Sequence, residues 1–160
     1  MTKIYVQTLE AIIILGLVIM VSLTFLSTVI RFVPGQGGIY WAEEVSRYIS
    51  IWVVFLAAGL GVRFWIHLNV DLFVAALPGP AQRALMVFCL VLTLVFQGVL
   101  IWFGTSLAIS NHAQQSASLQ MPMSFAYAAI PIGALIMFGE TLRLIVREFR
   151  RQPREVFMPE

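Results

Sequence analysis

Two groups of ionisable residues stand out because each interrupts an apolar stretch. The first is Trp41-Ala42-Glu43-Glu44-Val45-Ser46-Arg47-Tyr48. On a helix, Glu43 reaches Arg47 four residues on and Glu44 reaches it at three, with the acid on the favourable N-terminal side. An exposed interfacial ion pair of little energetic weight explains this pattern as well as any other reading. The sharper reading is that charge at membrane depth faces protein or water, since lipid-facing charge costs roughly 2.5–3.5 kcal/mol on insertion scales. The helix then has a protein partner. The second group is Arg63, His67 and Asp71, spaced by four and therefore on one helical face. A histidine beside a carboxylate suggests a proton relay or a metal site. One His and one carboxylate fall short of the ligand set a metal takes. A headgroup-facing stripe with Arg63 snorkelling is the default reading, and a structural subunit contact is compatible with it.

Other chemistries find less support. Haem needs two axial histidines on one side of the membrane, and the two present, His67 and His112, are separated by a predicted crossing of about 30 Å. No glycine-rich phosphate loop precedes a Lys-Ser or Lys-Thr pair, and neither G-x-S-x-G nor H-E-x-x-H occurs. The single cysteine, Cys89, lies in an apolar run and supports neither a disulfide framework nor a cysteine zinc site. No catalytic, cofactor or metal residues are expected, and no nucleic-acid partner.

The elements that must position these residues are membrane helices. Of the 160 residues, 60% are hydrophobic and 11% charged, and the mean hydropathy is +0.91. That composition belongs to a bilayer-spanning chain with no room for a separate soluble domain. A crossing takes roughly 20 apolar residues. The pattern predicts an all-α integral membrane protein with crossings at about 9–32, 40–62, 84–110 and 122–146. The first run is longer than a signal-peptide core and is read as a retained helix. Between Arg47 and Arg63 only about 22 Å of helix is free of charge, too little for a layer roughly 30 Å thick, so the second helix must begin near Tyr40. Residues 64–77 read as an amphipathic interfacial segment, ended by Pro78-Gly79-Pro80. Pro131, near the middle of the fourth run, predicts a kink there. Ala57 with Gly61, and Ala129 with Gly133, form pairs of small residues that let helices approach closely. Glu10 and Glu140 are read as falling at helix ends, leaving no carboxylate in mid-membrane.

Orientation follows from Lys and Arg. With four crossings, one side holds Lys3, Arg63, Arg83, Arg143, Arg147, Arg150, Arg151 and Arg154, and the other only Arg31 and Arg47. Cytoplasmic loops retain positive residues, so both termini are expected in the cytoplasm, with the C-terminal arginines anchored among lipid headgroups.

The order of these features resembles the small membrane subunit of the tripartite ATP-independent periplasmic (TRAP) transporters. The residues that carry the resemblance are Trp41-Ala-Glu-Glu44, Arg47-Tyr48, the run Trp52 to Gly61, then Arg63-x-x-x-His67-x-x-Val70-Asp71 and Leu77-Pro78, with Leu68 where Ile or Val is expected. It covers the whole chain. The resemblance implies an accessory role in the bacterial inner membrane, beside a large membrane subunit that carries the substrate and sodium sites. It also implies a periplasmic binding protein that delivers an organic acid such as a C4-dicarboxylate or sialic acid. Trp41, Glu43, Glu44, Arg47, Arg63, His67 and Asp71 are then candidates for subunit contacts or structural roles. Two other classes stay open: a small four-helix transporter acting as a homodimer, and a membrane anchor of a redox complex.

Overall fold

The computed structural model describes residues 2–32, 39–64 and 79–150. Five helices form among them: α1 (Thr2–Arg31), α2 (Tyr40–Arg63), α3 (Gly79–Ser110), the short α4 (Ser124–Tyr127) and α5 (Ala129–Arg150). Four helical stretches are long and apolar enough to cross a membrane, with α4 and α5 together making the fourth. At 30 residues, α1 extends about 45 Å, and the 24 residues of α2 about 36 Å, so each spans a layer roughly 30 Å thick. Apart from Phe64, the segment 64–77 lies outside the described residues, and so do His67 and Asp71.

The helices form a row rather than a closed bundle. α1 packs on α2, α2 on α5, and α5 on α3. The two inner helices, α2 and α5, therefore have protein on two sides. Their outer neighbours α1 and α3 turn large apolar side chains such as Leu15, Ile19, Phe88, Phe96 and Trp102 outward. Lipid tails solvate such side chains as well as a protein core does, so a row loses little relative to a bundle.

Two apolar clusters hold the row. Leu9 and Ile13 of α1 meet Val53 and Leu60 of α2. Val62 of α2, Leu90 of α3 and Leu144 of α5 meet at the other seam. The closest approach is between α2 and α5. A Cβ built on Gly133 would stand 2.5 Å from Phe55 Cβ and 2.9 Å from the Phe55 carbonyl oxygen, and one built on Gly59 would stand 2.5 Å from a methyl of Ile136. At Gly133 the obstacle includes backbone, which cannot rotate aside. Ala129, 1% exposed, completes the small surface on α5. Of the two small-residue pairs in the sequence, only Ala129 with Gly133 serves this seam. Ala57 and Gly61 instead line a groove on an open side of α2.

The fourth crossing is interrupted earlier than its proline suggests. The break falls at Ala128, between α4 and α5, because Pro131 lacks the N–H that would bond the Tyr127 carbonyl four residues back. The flanking bonds, Ala128 N–H to Ser124 O at 2.8 Å and Ile132 N–H to Ala128 O at 3.2 Å, keep the two helices nearly continuous.

Candidate functional site

At one end of the row the start of α2 meets the connection between α3 and α4. α2 opens without a side-chain cap; the Ala42 N–H bonds the Ile39 carbonyl at 3.1 Å, and Glu43 lies in the first turn, where the helix dipole favours an acid. Arg31, in the last turn of α1, is the charge complement and forms an ion pair with Glu43. This exposed pair ties the exit of α1 to the entry of α2.

Glu44 is engaged quite differently. Its Oε1 accepts the Tyr48 hydroxyl at 2.7 Å, while Oε2 accepts the backbone N–H groups of Ser118 at 2.8 Å and Leu119 at 3.2 Å. The loop is shaped to present those donors. Ser116 and Met121 bond across it, Gln115 and Pro122 form an antiparallel bridge, and Gln120 takes the left-handed conformation (φ 52°) that reverses the chain. One and two turns further along α2, the Tyr48 oxygen lies 3.1 Å from Met123 Sδ and the Trp52 indole N–H donates to Phe125 O at 3.1 Å. Glu44, Tyr48 and Trp52 thus form one stripe, at intervals of four, that fastens the α3–α4 connection and the start of α4 to α2. His112 contributes from within the connection, its Nδ1 lying 3.0 Å from Ser124 Oγ.

These contacts correct the pairing expected within Trp41–Tyr48. Glu43 pairs with Arg31 and Glu44 with backbone amides. Arg47, exposed on another face of α2, has no ion-pair partner among the described residues. Spacing along one helix ranked Arg47 first because it could not see α1 or the loop. Trp41 is half exposed at the same end.

A second polar cluster occupies the opposite end. Arg63 donates to Glu140 Oε1 at 3.0 Å, and Arg143 approaches Glu140 Oε2 at 3.5 Å. The side chains of Arg63 and Glu140 are only 16% and 11% exposed, and the guanidinium carbon of Arg63 lies 6.0 Å from the centre of the Tyr5 ring. Two expectations change here. Arg63 is bonded to protein rather than snorkelling. Glu140 is a buried carboxylate inside α5, and Glu10 also lies inside a helix rather than at its end. The sequence places Glu140 at a helix end because it is the charge that follows an apolar run, whereas the helix continues to Arg150 with Glu140 facing Arg63. Between α3 and α5, Gln97 Nε2 donates to Thr141 Oγ1 at 3.0 Å, and both side chains are buried. Sequence reasoning missed this pair as well as the loop amides that Glu44 accepts. A Glu-Tyr-Trp series at intervals of four was the one available signal, showing a shared face but not its partner.

The fold and its polar sites define a class: a multi-pass membrane protein whose polar clusters tie its helices together. No group of three or more His, Cys, Asp or Glu that could hold a metal occurs among the described residues. Comparison with known proteins makes the assignment specific. Residues 20–151 match the family model described as tripartite ATP-independent periplasmic transporters, DctQ component. The chain belongs to that family, whose members are transport subunits of the inner membrane and not enzymes. It is 26% identical over 144 residues to a putative TRAP transporter small permease protein of Haemophilus influenzae, covering 90% of this chain and 87% of that one. It is 29% identical over 99 residues to the C4-dicarboxylate TRAP transporter small permease protein DctQ of Rhodobacter capsulatus, covering 61% of this chain and 44% of that relative. A third relative, the isethionate TRAP transporter permease protein DctMQ of Oleidesulfovibrio alaskensis, is 22% identical over 142 residues, covering 84% of this chain and 22% of its own.

Proposed function

We propose that this chain is the accessory, scaffolding subunit of a secondary TRAP transporter that takes up an organic acid delivered by a periplasmic binding protein. The observation that carries this reading is the use made of the polar groups. Glu44, Tyr48, Trp52, Arg63, Glu140, Gln97 and Thr141 are spent on joining helices and loop to one another. A transport pathway needs polar groups turned toward a cavity, and a scaffold needs them turned toward its own elements. Substrate and coupling-ion sites then belong to the large membrane subunit, with sodium as the coupling ion. The relative named DctMQ supports such a partner, since this chain matches only 22% of it.

Glu140 bears on the rival reading, an autonomous proton-coupled transporter, because such a mechanism needs a buried carboxylate. Both of its oxygens face arginines, so the carboxylate is taken up in contacts within the protein rather than turned toward a pathway. For the substrate, the C4-dicarboxylate relative favours a small dicarboxylate or a related carboxylate. The arginines at 143, 147, 150, 151 and 154 favour cytoplasmic termini, placing the Glu44 end of the row on the periplasmic side, where the binding protein docks.

Vesicles that contain the large subunit, with binding protein and labelled dicarboxylate supplied outside, test the reading. Sodium-dependent uptake is expected only when this chain is also present. Flux through vesicles that contain this chain alone overturns the proposal.

A further inference from the structure

The two broad faces of the helical row differ at α2. On one face a groove runs between α1 and α2, in two stretches. Met20, Val21, Thr24 and Phe25 of α1 flank Arg47 and Ser50 in the first, and Glu10 and Ile14 flank Val54, Ala57, Ala58 and Gly61 in the second. Arg47, Ser50, Val54, Ala58 and Gly61 recur at intervals of three and four and so form one open stripe of α2. Val54, at its centre, is 62% exposed.

This stripe is unlike the lipid-facing surfaces of the same molecule. The outer sides of α1 and α3 carry Leu, Ile, Val, Phe and Trp, whereas the stripe sets the small side chains of Ser50, Ala58 and Gly61 around Val54, with one cation toward its end. The Ser50 hydroxyl bonds the Arg47 carbonyl at 2.8 Å and the Thr24 hydroxyl bonds the Met20 carbonyl at 2.8 Å, so neither demands an outside partner. What does demand one is charge. Arg47 lies about 10 Å inside α2 and Glu10 about 12 Å inside α1 from the opposite end, and neither has an ion-pair partner among the described residues. The groove is therefore positive toward one membrane surface and negative toward the other. Its small residues allow a helix backbone to approach closely.

We propose that this face is the seam on which the large membrane subunit docks, through a transmembrane helix with a carboxylate level with Arg47 and a cationic group level with Glu10. The inference rests on the reading of this chain as the small subunit. A lipid headgroup could neutralise Arg47, but it gives no reason for the small side chains of Ser50, Ala58 and Gly61 along the stripe.

The test uses the whole complex in native membranes. In a Cys89→Ala background, single cysteines at Val54 and Ala58 are labelled with a benzophenone maleimide and irradiated. Val95 on α3 and Leu135 on α5 serve as controls. Adducts with the large subunit are expected from Val54 and Ala58 at about ten times the control yield. Arg47→Glu is expected to lower copurification of the large subunit about tenfold, with Arg47→Lys retaining it. Adducts with lipid alone or with a second copy of this chain overturn the proposal, as does large-subunit labelling from Val95 or Leu135 instead. If the wild-type chain copurifies with no large subunit, the underlying functional reading fails, an outcome distinct from labelling on the wrong face.

Discussion

Glu44 Oε2 accepts the backbone N–H of Ser118 at 2.8 Å, across 74 residues of sequence, and so fixes the loop between α3 and α4 to the second turn of α2. A carboxylate accepting consecutive amide donors replaces the hydrogen bonds that an irregular loop cannot make with itself. The end of the row thereby becomes one surface instead of separate helix ends.

Replacing Glu44 by Ala is expected to free the loop while leaving the helices in place. Hydrogen exchange at the Ser118 and Leu119 amides should rise by about tenfold or more, with the α2–α5 seam unchanged. Unaltered exchange at both amides would show that the loop holds its shape without Glu44.

The neighbouring acid should behave differently. Glu43→Gln removes the exposed pair with Arg31, and pairs of this kind contribute about 0–1 kcal/mol and weaken with salt. Thermal unfolding in detergent is expected to shift little, and less still at high ionic strength. A shift as large as that caused by breaking a buried pair would contradict this assignment.

The Arg63–Glu140 pair is the buried one. Glu140→Ala leaves the Arg63 guanidinium without its main acceptor, a loss of about 3–5 kcal/mol. The double change Arg63→Met with Glu140→Leu removes both charges and is expected to recover most of that loss. A thermal-melt double-mutant cycle measures the difference, and additive effects would show that the two groups do not interact.

Gly133 and Gly98 provide a matched steric comparison. Gly133→Ala must displace the Phe55 backbone and is expected to cost about 1–3 kcal/mol, whereas a Cβ at Gly98 meets nothing within 4 Å. The yield of monodisperse protein should fall for the first and hold for the second. Equal yields would mean that α2 and α5 can separate without penalty.

Much of the fold is legible because the bilayer imposes it. Backbone groups in hydrocarbon must be satisfied within the segment, so a long apolar run can only be a helix, as at Ala11–Ile30 and Ala84–Asn111. The length of charge-free helix between Arg47 and Arg63 likewise requires an earlier start, and α2 includes Glu43, Glu44 and Arg47. Glu140 was misread for a complementary reason. A charge marks the end of an apolar run, but not the end of a helix when another helix brings the opposite charge.

The amino-acid sequence by itself determined the class of the protein, its helices and its kinship, because hydrophobic length and local motifs are properties of contiguous residues. Only the tertiary structure decided which partners the charges take. Glu43 chose Arg31 over Arg47, Glu44 chose the amides of residues 118 and 119, and Arg63 chose Glu140. Each choice depends on helices brought side by side by their small and apolar faces, and a hydrogen bond acts over about 3 Å whatever the separation along the chain.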